Sequence, residues 1–318
     1  MGGAKRSVAR GAAAERRPGR TKDDAMEYEG VVLSSTDRVL YAESGFTKVD
    51  LAEHYVAAAD RMLPHLENRP LTLVRCPRGR GRCFYQKHFE EGVPEGIAAV
   101  EIEERDGPAS YGVVRSLAGV IALVQMGVLE IHTWGCRADR LERPDRITID
   151  LDPDPTVPWS RVVEAARAVR LVLEEVGLTS FIKATGGKGL HVVSPIQRRT
   201  DWEEAKAFTR AVCEVVARAS PGEYTLDVSK RKRRGRILLD YLRNAQGATA
   251  VEVYSTRARA GAPVALPVRW DELDGIEPDA FRLGELAERL AAPDPWADYF
   301  ALRQGITAAA RRRLARAG

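Results

Sequence analysis

The pattern of hydrophobic and polar positions predicts four main helices. Apolar residues at helical spacing follow Thr47, a residue type that often caps a helix, and continue to about residue 65. A second helix is predicted from Ser116 to Met126, a third from Val157 to Glu175 and a fourth over residues 201–219.

Short apolar or alternating segments between these helices predict strands, and several come in pairs joined by glycine-containing turns. The predicted strands read LTLVR and CFYQK, AAVEIE and ASYGVV, VLEIHTW, RITIDLD, the two arms of FIKATGGKGLHVVSPI, RILLDYL and ATAVEVYS. Hairpins between helices differ from the regular strand and helix alternation of a Rossmann fold. We therefore predict an α+β fold with mixed or antiparallel sheets flanked by helices, beginning near Val31.

Two carboxylates stand inside the apolar strand at 146–152. Asp150 and Asp152 alternate with isoleucine and leucine, so both carboxylates point to the same face of the strand. Such close carboxylates repel each other and are costly to desolvate together unless a cation binds them. Turn formation explains the DPDP segment that follows. It does not explain Asp150, which lies within the alternation.

A third carboxylate, Asp240, lies in a second apolar run, GRILLDYLRN. Hard oxygen ligands from two strands suit magnesium or manganese. With basic residues nearby, they match the requirements of two-metal phosphoryl or nucleotidyl transfer. The sequence therefore predicts a metal site formed by Asp150, Asp152 and Asp240.

Composition places this protein in the globular class. With 318 residues, 44% of them hydrophobic, the chain can form a large core. No apolar stretch reaches the roughly 18 residues that a membrane helix needs, and the N-terminus lacks an apolar signal segment. We expect a cytoplasmic location without a membrane partner. Residues 1–29 are rich in glycine, alanine and arginine and predict a disordered basic tail or interdomain linker before a domain at 30–318.

The four cysteines form no CxxC pair and predict no disulfide framework, which favours a reducing compartment. Cys76, Cys83 and His88 could contribute to a zinc site. A fourth ligand is missing and the spacing is irregular, so this interpretation is disfavoured.

Positive charge is gathered in local clusters. The net charge is +4, and residues 1–22 carry seven Lys or Arg against one Glu. The other main clusters are CPRGRGRC at 76–83 and SKRKRRGR at 229–236, a distribution typical of phosphate recognition. Whether 229–236 follows a nucleic-acid backbone or forms a solvated loop stays open. The cluster that begins at Arg311 is interpreted as solvated charge.

Two segments could recognise phosphates. KATGGKGLH combines three glycines with Thr185, Lys188 and His191, and its backbone could approach a phosphate closely. A plain glycine hairpin with an exposed lysine explains the same residues, and a Walker A loop is excluded because a strand follows. Arg257 and Arg259, in YSTRARAG, offer guanidinium groups suited to triphosphate oxygens.

Aromatic residues lie beside arginines near position 80. Phe84 and Tyr85 follow several arginines, a combination that holds stacked bases and phosphates. Because a strand alternates, we expect one ring to point inward and at most one to stack.

These motifs together resemble the polymerase domain of bacterial DNA ligase D, a member of the archaeo-eukaryotic primase superfamily that serves non-homologous end joining. The resemblance runs from about Val32 to Arg303. It rests on seven segments in order: STDRVLY with FTK, RPLTLVRCP with CFYQKH, EIHTW, ITIDLDP, KATGGKGLHVVSP, RILLDYLRN and YSTRAR. The resemblance implies a primase-polymerase domain over 30–318 that adds (ribo)nucleotides to a primer 3′-hydroxyl at DNA gaps or double-strand break ends.

Carried over by position, the resemblance implies a role for each site residue. Two ions, Mn²⁺ or Mg²⁺, would bind Asp150, Asp152 and Asp240. The incoming nucleotide would contact His132, Thr185, Lys188, His191, Arg233 and Arg257. A 5′-phosphate at the far side of a gap would bind Arg38 and Lys48, and Tyr85, or less favourably Phe84, would stack on the template.

Three positions depart from the family pattern. Thr185 stands where serine is usual, Tyr85 where phenylalanine is common, and Val74 where some relatives have a basic residue. The last puts one template contact in doubt. None of these departures touches the carboxylates.

The resemblance also implies partners: NTP or dNTP, gapped or broken DNA with a 5′-phosphate, Ku, and a ligase domain of the same protein, in a nucleoid-associated setting. A standalone polymerase is the competing interpretation. Three other functions remain open: a non-catalytic DNA-end bridging module, a metal-dependent phosphoesterase, and a general primase.

Overall fold

The computed structural model describes residues 25–317, which form an α+β fold. Its first half contains β1 (Met26–Tyr28), β2 (Val31–Leu33), β3 (Val39–Tyr41), β4 (Phe46–Thr47), α1 (Lys48–Leu66), β5 (Leu71–Arg75), β6 (Phe84–Gln86), β7 (Ile97–Glu104), β8 (Gly107–Val114), α2 (Leu117–Gln125), β9 (Val128–Trp134) and β10 (Arg146–Pro153). The second half contains α3 (Trp159–Glu175), β11 (Phe181–Ala184), β12 (Leu190–Pro195), α4 (Trp202–Ala219), β13 (Tyr224–Thr225), β14 (Ile237–Asp240), β15 (Thr249–Val251), β16 (Leu266–Val268), α5 (Ala287–Ala291) and α6 (Ala308–Ala317).

The larger sheet has six strands in the order β13, β14, β10, β12, β11, β16. Neighbouring strands are antiparallel except β13 and β14, which are parallel. On the inner face of β10, Ile147, Ile149 and Leu151 are almost fully buried. Helices α3 and α4 pack together and contact β10. Burying each such side chain contributes roughly 1.5–3 kcal/mol, which holds the central strand firmly in place.

A second sheet of four strands, in the order β15, β9, β5, β6, lies beside the first. Side chains from both sheets join one large apolar core. Strand β6 forms the outer edge of this sheet, and three further strand pairs, β1 with β2, β3 with β4 and β7 with β8, complete the structure.

Helix starts follow the capping chemistry of the sequence. At α1, the Thr47 hydroxyl accepts from the backbone N–H of Asp50, and the Asp50 carboxylate accepts from the N–H of Thr47 at 2.8 Å. Asp201 and Glu204 form the same reciprocal arrangement at α4. Such caps satisfy backbone donors that the first turn leaves free.

The predicted helices and strands are confirmed, with boundary shifts of a few residues. Strand structure is present before the predicted start at Val31, because Met26–Tyr28 pairs with Val31–Leu33. The rest of the tail predicted at 1–29 lies outside the described residues. Within 25–317, no helix is both long and apolar enough to cross a membrane.

The prediction for the cysteines is wrong in one respect. Cys76 and Cys83 are joined by a disulfide, because the hairpin of β5 and β6 brings their Cα atoms to 4.2 Å. The sulfurs are therefore not available for the zinc site considered with His88. Cys136 and Cys213 are buried free thiols.

Candidate active site

A cleft of about 200 Å³ lies between the two sheets and collects most of the predicted site residues. Strands β9 and β15 form one side, and β10 with the turn before β12 forms the other. The predicted residues that line it are His132, Asp150, Asp152, Thr185, Lys188, His191 and Arg257. Predicted residues from four separate segments thus converge on one place.

Strand register places the key side chains in a row. Asp150 on β10 lies directly opposite Asp240 on β14 and directly opposite His191 on β12. Residues directly opposite in an antiparallel pair share one face, with Cβ atoms about 4.5–5.5 Å apart. The row therefore brings the carboxylates of Asp150 and Asp240 together, as the sequence predicted.

Cationic side chains neutralise these carboxylates. The guanidinium of Arg243 lies 2.9 Å from Oδ2 of Asp150 and 3.3 Å from Oδ2 of Asp240. Asp152 is paired with Lys188 at 2.8 Å and with Arg233 at 2.9 Å. Each carboxylate thus has a positive partner.

The pKa values of the central pair move in opposite directions. Burial would raise the pKa of Asp150, but the adjacent His191, 3.5 Å away, and Arg243 outweigh it and hold that pKa well below its usual range. Burial raises the pKa of Asp240, with Arg243 opposing and the Asp150 charge adding to the rise. Environments that move the pKa values of two neighbouring carboxylates apart are typical of functional sites.

The donor set fits a hard divalent cation. Among residues 25–317, no three His, Cys, Asp or Glu side chains stand close enough to form a preassembled metal cluster. Asp150 and Asp240 nevertheless present oxygen ligands at directly opposite positions of neighbouring strands, and Asp152 lies two residues from Asp150 on the same face. Arg243 holds its charge between Asp150 and Asp240. Mg²⁺ or Mn²⁺ would compete with Arg243 for these oxygens.

The turn between β11 and β12 contains glycines largely because neighbouring parts of the protein pack closely against it. A Cβ at Gly189 would stand 2.3 Å from the carbonyl oxygen of Leu151, and one at Gly186 would stand 2.9 Å from Cγ of Arg257. The sequence left both phosphate approach and a plain glycine hairpin open, and at Gly186 and Gly189 the protein's own backbone and Arg257 already leave no room for a side chain. The Thr185 hydroxyl donates to Gly189 at 2.9 Å.

Three charged residues at or beside the cleft were not in the predicted set of site residues. Arg243 and Arg259 line the cleft. Glu130 is buried, contacts His132 at 2.8 Å and forms a 3.0 Å ion pair with Nε of Arg257. The alternation of EIHTW was a usable signal for Glu130, because it places this residue on the same face as His132.

The predicted 5′-phosphate residues lie together but outside the cleft. The backbone N–H of Lys48 donates to the carbonyl of Arg38 at 2.9 Å. The Lys48 ammonium is buried, donates to Ser34 at 2.9 Å and Gln125 at 2.5 Å, and has its pKa lowered to about 8 by burial and then by Arg38. Arg38 is exposed and donates to the carbonyl of Pro77 at 3.1 Å.

The aromatic residues correct one expectation. Phe84 is 48% exposed and Tyr85 77% exposed, so neither ring points into the core. Strand β6 lies at the edge of its sheet, and Phe84 and Tyr85, which alternate between its two faces, are both exposed, so neither face is covered there. The Arg75 guanidinium lies 5.4 Å from the centre of the Phe84 ring. Val74, the third family departure, is buried opposite Tyr85.

The basic run at 229–236 is divided between the cleft and solvent. Arg233 reaches Asp152, as given above, and Lys232 pairs with Asp227 at 2.7 Å. Lys230, Arg231 and Arg234 are exposed. At the C-terminal cluster, Arg311 pairs with Glu204 at 2.9 Å on the surface.

Comparison with known proteins identifies the family of this chain. Residues 47–296 match the sequence profile of the family described as LigD, primase-polymerase domain. The chain is 41% identical over 292 residues to the multifunctional non-homologous end joining protein LigD of Pseudomonas aeruginosa, covering 90% of this chain and 35% of that protein. It is 31% identical to the LigD of Mycobacterium tuberculosis, covering 84% of this chain and 38% of that protein.

A solved structure also matches. It is the polymerase domain from Mycobacterium tuberculosis ligase D in complex with DNA, with a TM-score of 0.79 and 29% identity, covering 85% of this chain and 98% of that chain. The chain thus spans little more than a third of the length of these two LigD proteins but nearly all of the solved polymerase domain.

Proposed function

The chain belongs to the LigD primase-polymerase domain family, and we propose that it is a template-directed nucleotidyltransferase. It would add nucleotides, ribonucleotides included, to a primer 3′-hydroxyl at DNA gaps or broken ends during non-homologous end joining. The observation that carries this proposal is that Asp150 lies directly opposite Asp240, beside a cleft that Asp150 and Asp152 line together with cationic side chains.

The carboxylates would hold two divalent ions. Two such ions, when bound, activate a 3′-hydroxyl and stabilise the charge of the pyrophosphate leaving group. Asp150, Asp152 and Asp240 would supply the carboxylate oxygens that hold these ions. Both the low pKa of Asp150 and the neighbouring cations keep this carboxylate ionised and ready to bind metal.

The cationic wall would bind the triphosphate. Lys188, Arg257 and Arg259 face the cleft, and charges fixed in place stabilise an anionic transition state without reorganisation. His132, His191 and Thr185 would orient the nucleotide beside them. Arg233, which contacts Asp152, would exchange this partner for phosphate oxygens.

DNA would bind along the surface outside the cleft. Arg38 and Lys48 would hold the 5′-phosphate across a gap, and Tyr85 or Phe84 would stack on the template base. Since the chain spans only part of its relatives, a ligase domain in the same protein and a Ku partner are part of the proposal, as is a cytoplasmic, nucleoid-associated location.

The test is extension of a labelled primer in a short-gap duplex that carries a downstream 5′-phosphate. Manganese and either ribo- or deoxynucleotides are supplied to the wild type and to Asp150→Ala. We expect templated addition by the wild type and a loss of at least about 100-fold in the variant, because a metal ligand is removed. If neither protein extends the primer while both bind the gap, the domain is an end-bridging module. Synthesis without a primer would instead indicate a primase.

A further inference from the structure

Glu130 occupies an unusual position for a buried carboxylate. It lies on β9, is 6% exposed, and contacts residues from two parts of the cleft wall. One carboxylate oxygen, Oε2, is 2.8 Å from Nε2 of His132 and 3.0 Å from Nε of Arg257. The other, Oε1, accepts from the backbone N–H of Ala258 at 2.9 Å. Each oxygen therefore fixes a different part of the segment that carries Arg257.

The electrostatics keep this carboxylate charged. Burial alone would raise its pKa, but the hydrogen bond from His132 and the charge of Arg257 outweigh burial and lower the pKa of Glu130 to about 2. A buried anion that is paired and hydrogen-bonded is stable, whereas removal of its charge leaves its partners unpaired.

Arg257 is confined by contacts besides Glu130. Its terminal Nη1 donates to the carbonyl of Thr185 at 2.6 Å, and its own carbonyl accepts from the hydroxyl of Tyr41 at 3.0 Å. Its Cγ packs where Gly186 has no side chain. These contacts fix the stem and one end of the guanidinium. The ion pair with Glu130 supplies the opposing charge at Nε, so that the group keeps one orientation toward the cleft.

We propose that Glu130 is a positioning residue for triphosphate binding, which orients Arg257 and His132 without touching the nucleotide itself. The proposal rests on the function proposed above. The carboxylate acts through these two side chains, so its loss weakens nucleotide binding more than it slows the chemical step. DNA binding is unaffected, because Arg38, Lys48 and Tyr85 lie outside the cleft.

The test is Glu130→Gln, which keeps the size and the acceptor for Ala258 but removes the charge. In primer extension we expect KM for the nucleotide to rise about tenfold or more, with kcat changed less than about threefold. Affinity for gapped DNA without nucleotide should be unchanged. Glu130→Asp, which restores the charge with a shorter reach, should recover part of the lost affinity.

Glu104→Gln is a matched control. Glu104 also pairs with a cation, Lys87 at 2.7 Å, but on the β7 and β8 hairpin away from the cleft. This variant should leave KM unchanged. An equal KM change in both variants would overturn the proposal, because it would show a general effect of losing a carboxylate charge that pairs with a cation.

A double-mutant cycle separates positioning from general damage. If Glu130 acts largely through Arg257, then Glu130→Gln combined with Arg257→Ala binds nucleotide little worse than Arg257→Ala alone. Fully additive losses, or an unchanged KM in Glu130→Gln, overturn the proposal. Should Glu130→Gln fail to fold, the same cycle is run with Glu130→Asp.

Direct titration keeps the proposal distinct from the polymerase assignment. Each variant is titrated with a nucleoside triphosphate that carries a methylene bridge between the α- and β-phosphorus, in the presence of manganese. If the wild type binds this compound but never extends a primer, the polymerase function is refuted. The titrations then still measure the effect of Glu130 on nucleotide binding. A wild type that does not bind it refutes both.

Discussion

Arg243 lies between Asp150 and Asp240, with nitrogen atoms 2.9 Å from the first carboxylate and 3.3 Å from the second. Two aspartates directly opposite each other on neighbouring strands would otherwise repel. Arg243 thus makes this proposed metal-binding pair compatible with a folded protein before any cation binds.

Arg243→Ala should therefore lower stability in the absence of metal. We expect a loss of about 1–2 kcal/mol, a figure reduced from that of a fully buried pair because Arg243 is 39% exposed. Adding manganese should raise the melting temperature of the variant more than that of the wild type. Thermal melts with and without manganese measure both effects.

Arg210→Ala is the control, because Arg210 pairs with Glu214 on the exposed face of α4. It should change stability by less than about 0.5 kcal/mol and leave the manganese response as in the wild type. An Arg243→Ala protein with the same manganese response as Arg210→Ala would contradict the competition between arginine and metal.

Tyr85→Ala should weaken binding to gapped DNA. A stacked base contributes about 1–3 kcal/mol, which corresponds to a loss of about 5- to 150-fold in affinity. Tyr85→Phe should bind as the wild type does, because the ring remains. Fluorescence anisotropy with a labelled gapped duplex measures the change. Leu171→Ala, at a residue 65% exposed on α3, is a control that should have no effect.

Recognition of a 5′-phosphate should depend on pH through Lys48. Its pKa in the folded protein is about 8, so above this pH binding of the phosphate must be accompanied by uptake of a proton. The preference for a 5′-phosphate over a 5′-hydroxyl end should fall as pH rises from 8, by at most tenfold per unit. Competition between the two duplexes at several pH values tests this. A preference that stays constant from pH 7 to pH 9.5 would exclude Lys48 as the residue responsible.

The lowered pKa of Lys48 also makes the free energy of unfolding depend on pH. Burial lowers the pKa of Lys48 from 10.5 to about 8, so between these values the unfolded chain binds a proton that the folded protein does not. The contribution of Lys48 to the free energy of unfolding should therefore rise with pH over that window. Lys48→Met should remove this part of the pH dependence in denaturant titrations.

Reduction of the Cys76–Cys83 disulfide should loosen the segment that precedes the exposed aromatic rings. Closing a loop of this size stabilises a protein by at most about 2.5 kcal/mol. A reducing agent should lower the melting temperature of the wild type. It should not affect the double variant Cys76→Ser, Cys83→Ser, whose melting temperature should match that of the reduced protein. A wild type unaffected by the reductant would contradict a stabilising disulfide.

Several predictions from the sequence failed where the outcome depended on neighbours. The expectation that Phe84 or Tyr85 turns inward came from strand alternation, but alternation selects a buried face only where something packs against the strand. Strand β6 lies at a sheet edge. The pairing of Cys76 with Cys83 likewise depends on the turn geometry of one hairpin, which spacing alone did not reveal.

The sequence by itself determined the helices, most strands and the shared face of Asp150 and Asp152, because periodicity and capping are local properties of the chain. Motifs in the sequence also indicated Asp240, Thr185, Lys188, His191 and Arg257. The family resemblance added His132, Arg233, Arg38 and Lys48. Only the tertiary structure decided the contacts between these residues: Asp240 directly opposite Asp150 on the neighbouring strand, Arg243 between them, and Glu130 against Arg257. These contacts join residues up to about 130 positions apart, and strand order and register set them. The physical reason is that burial and charge pairing act between neighbours in space, which a linear pattern does not specify.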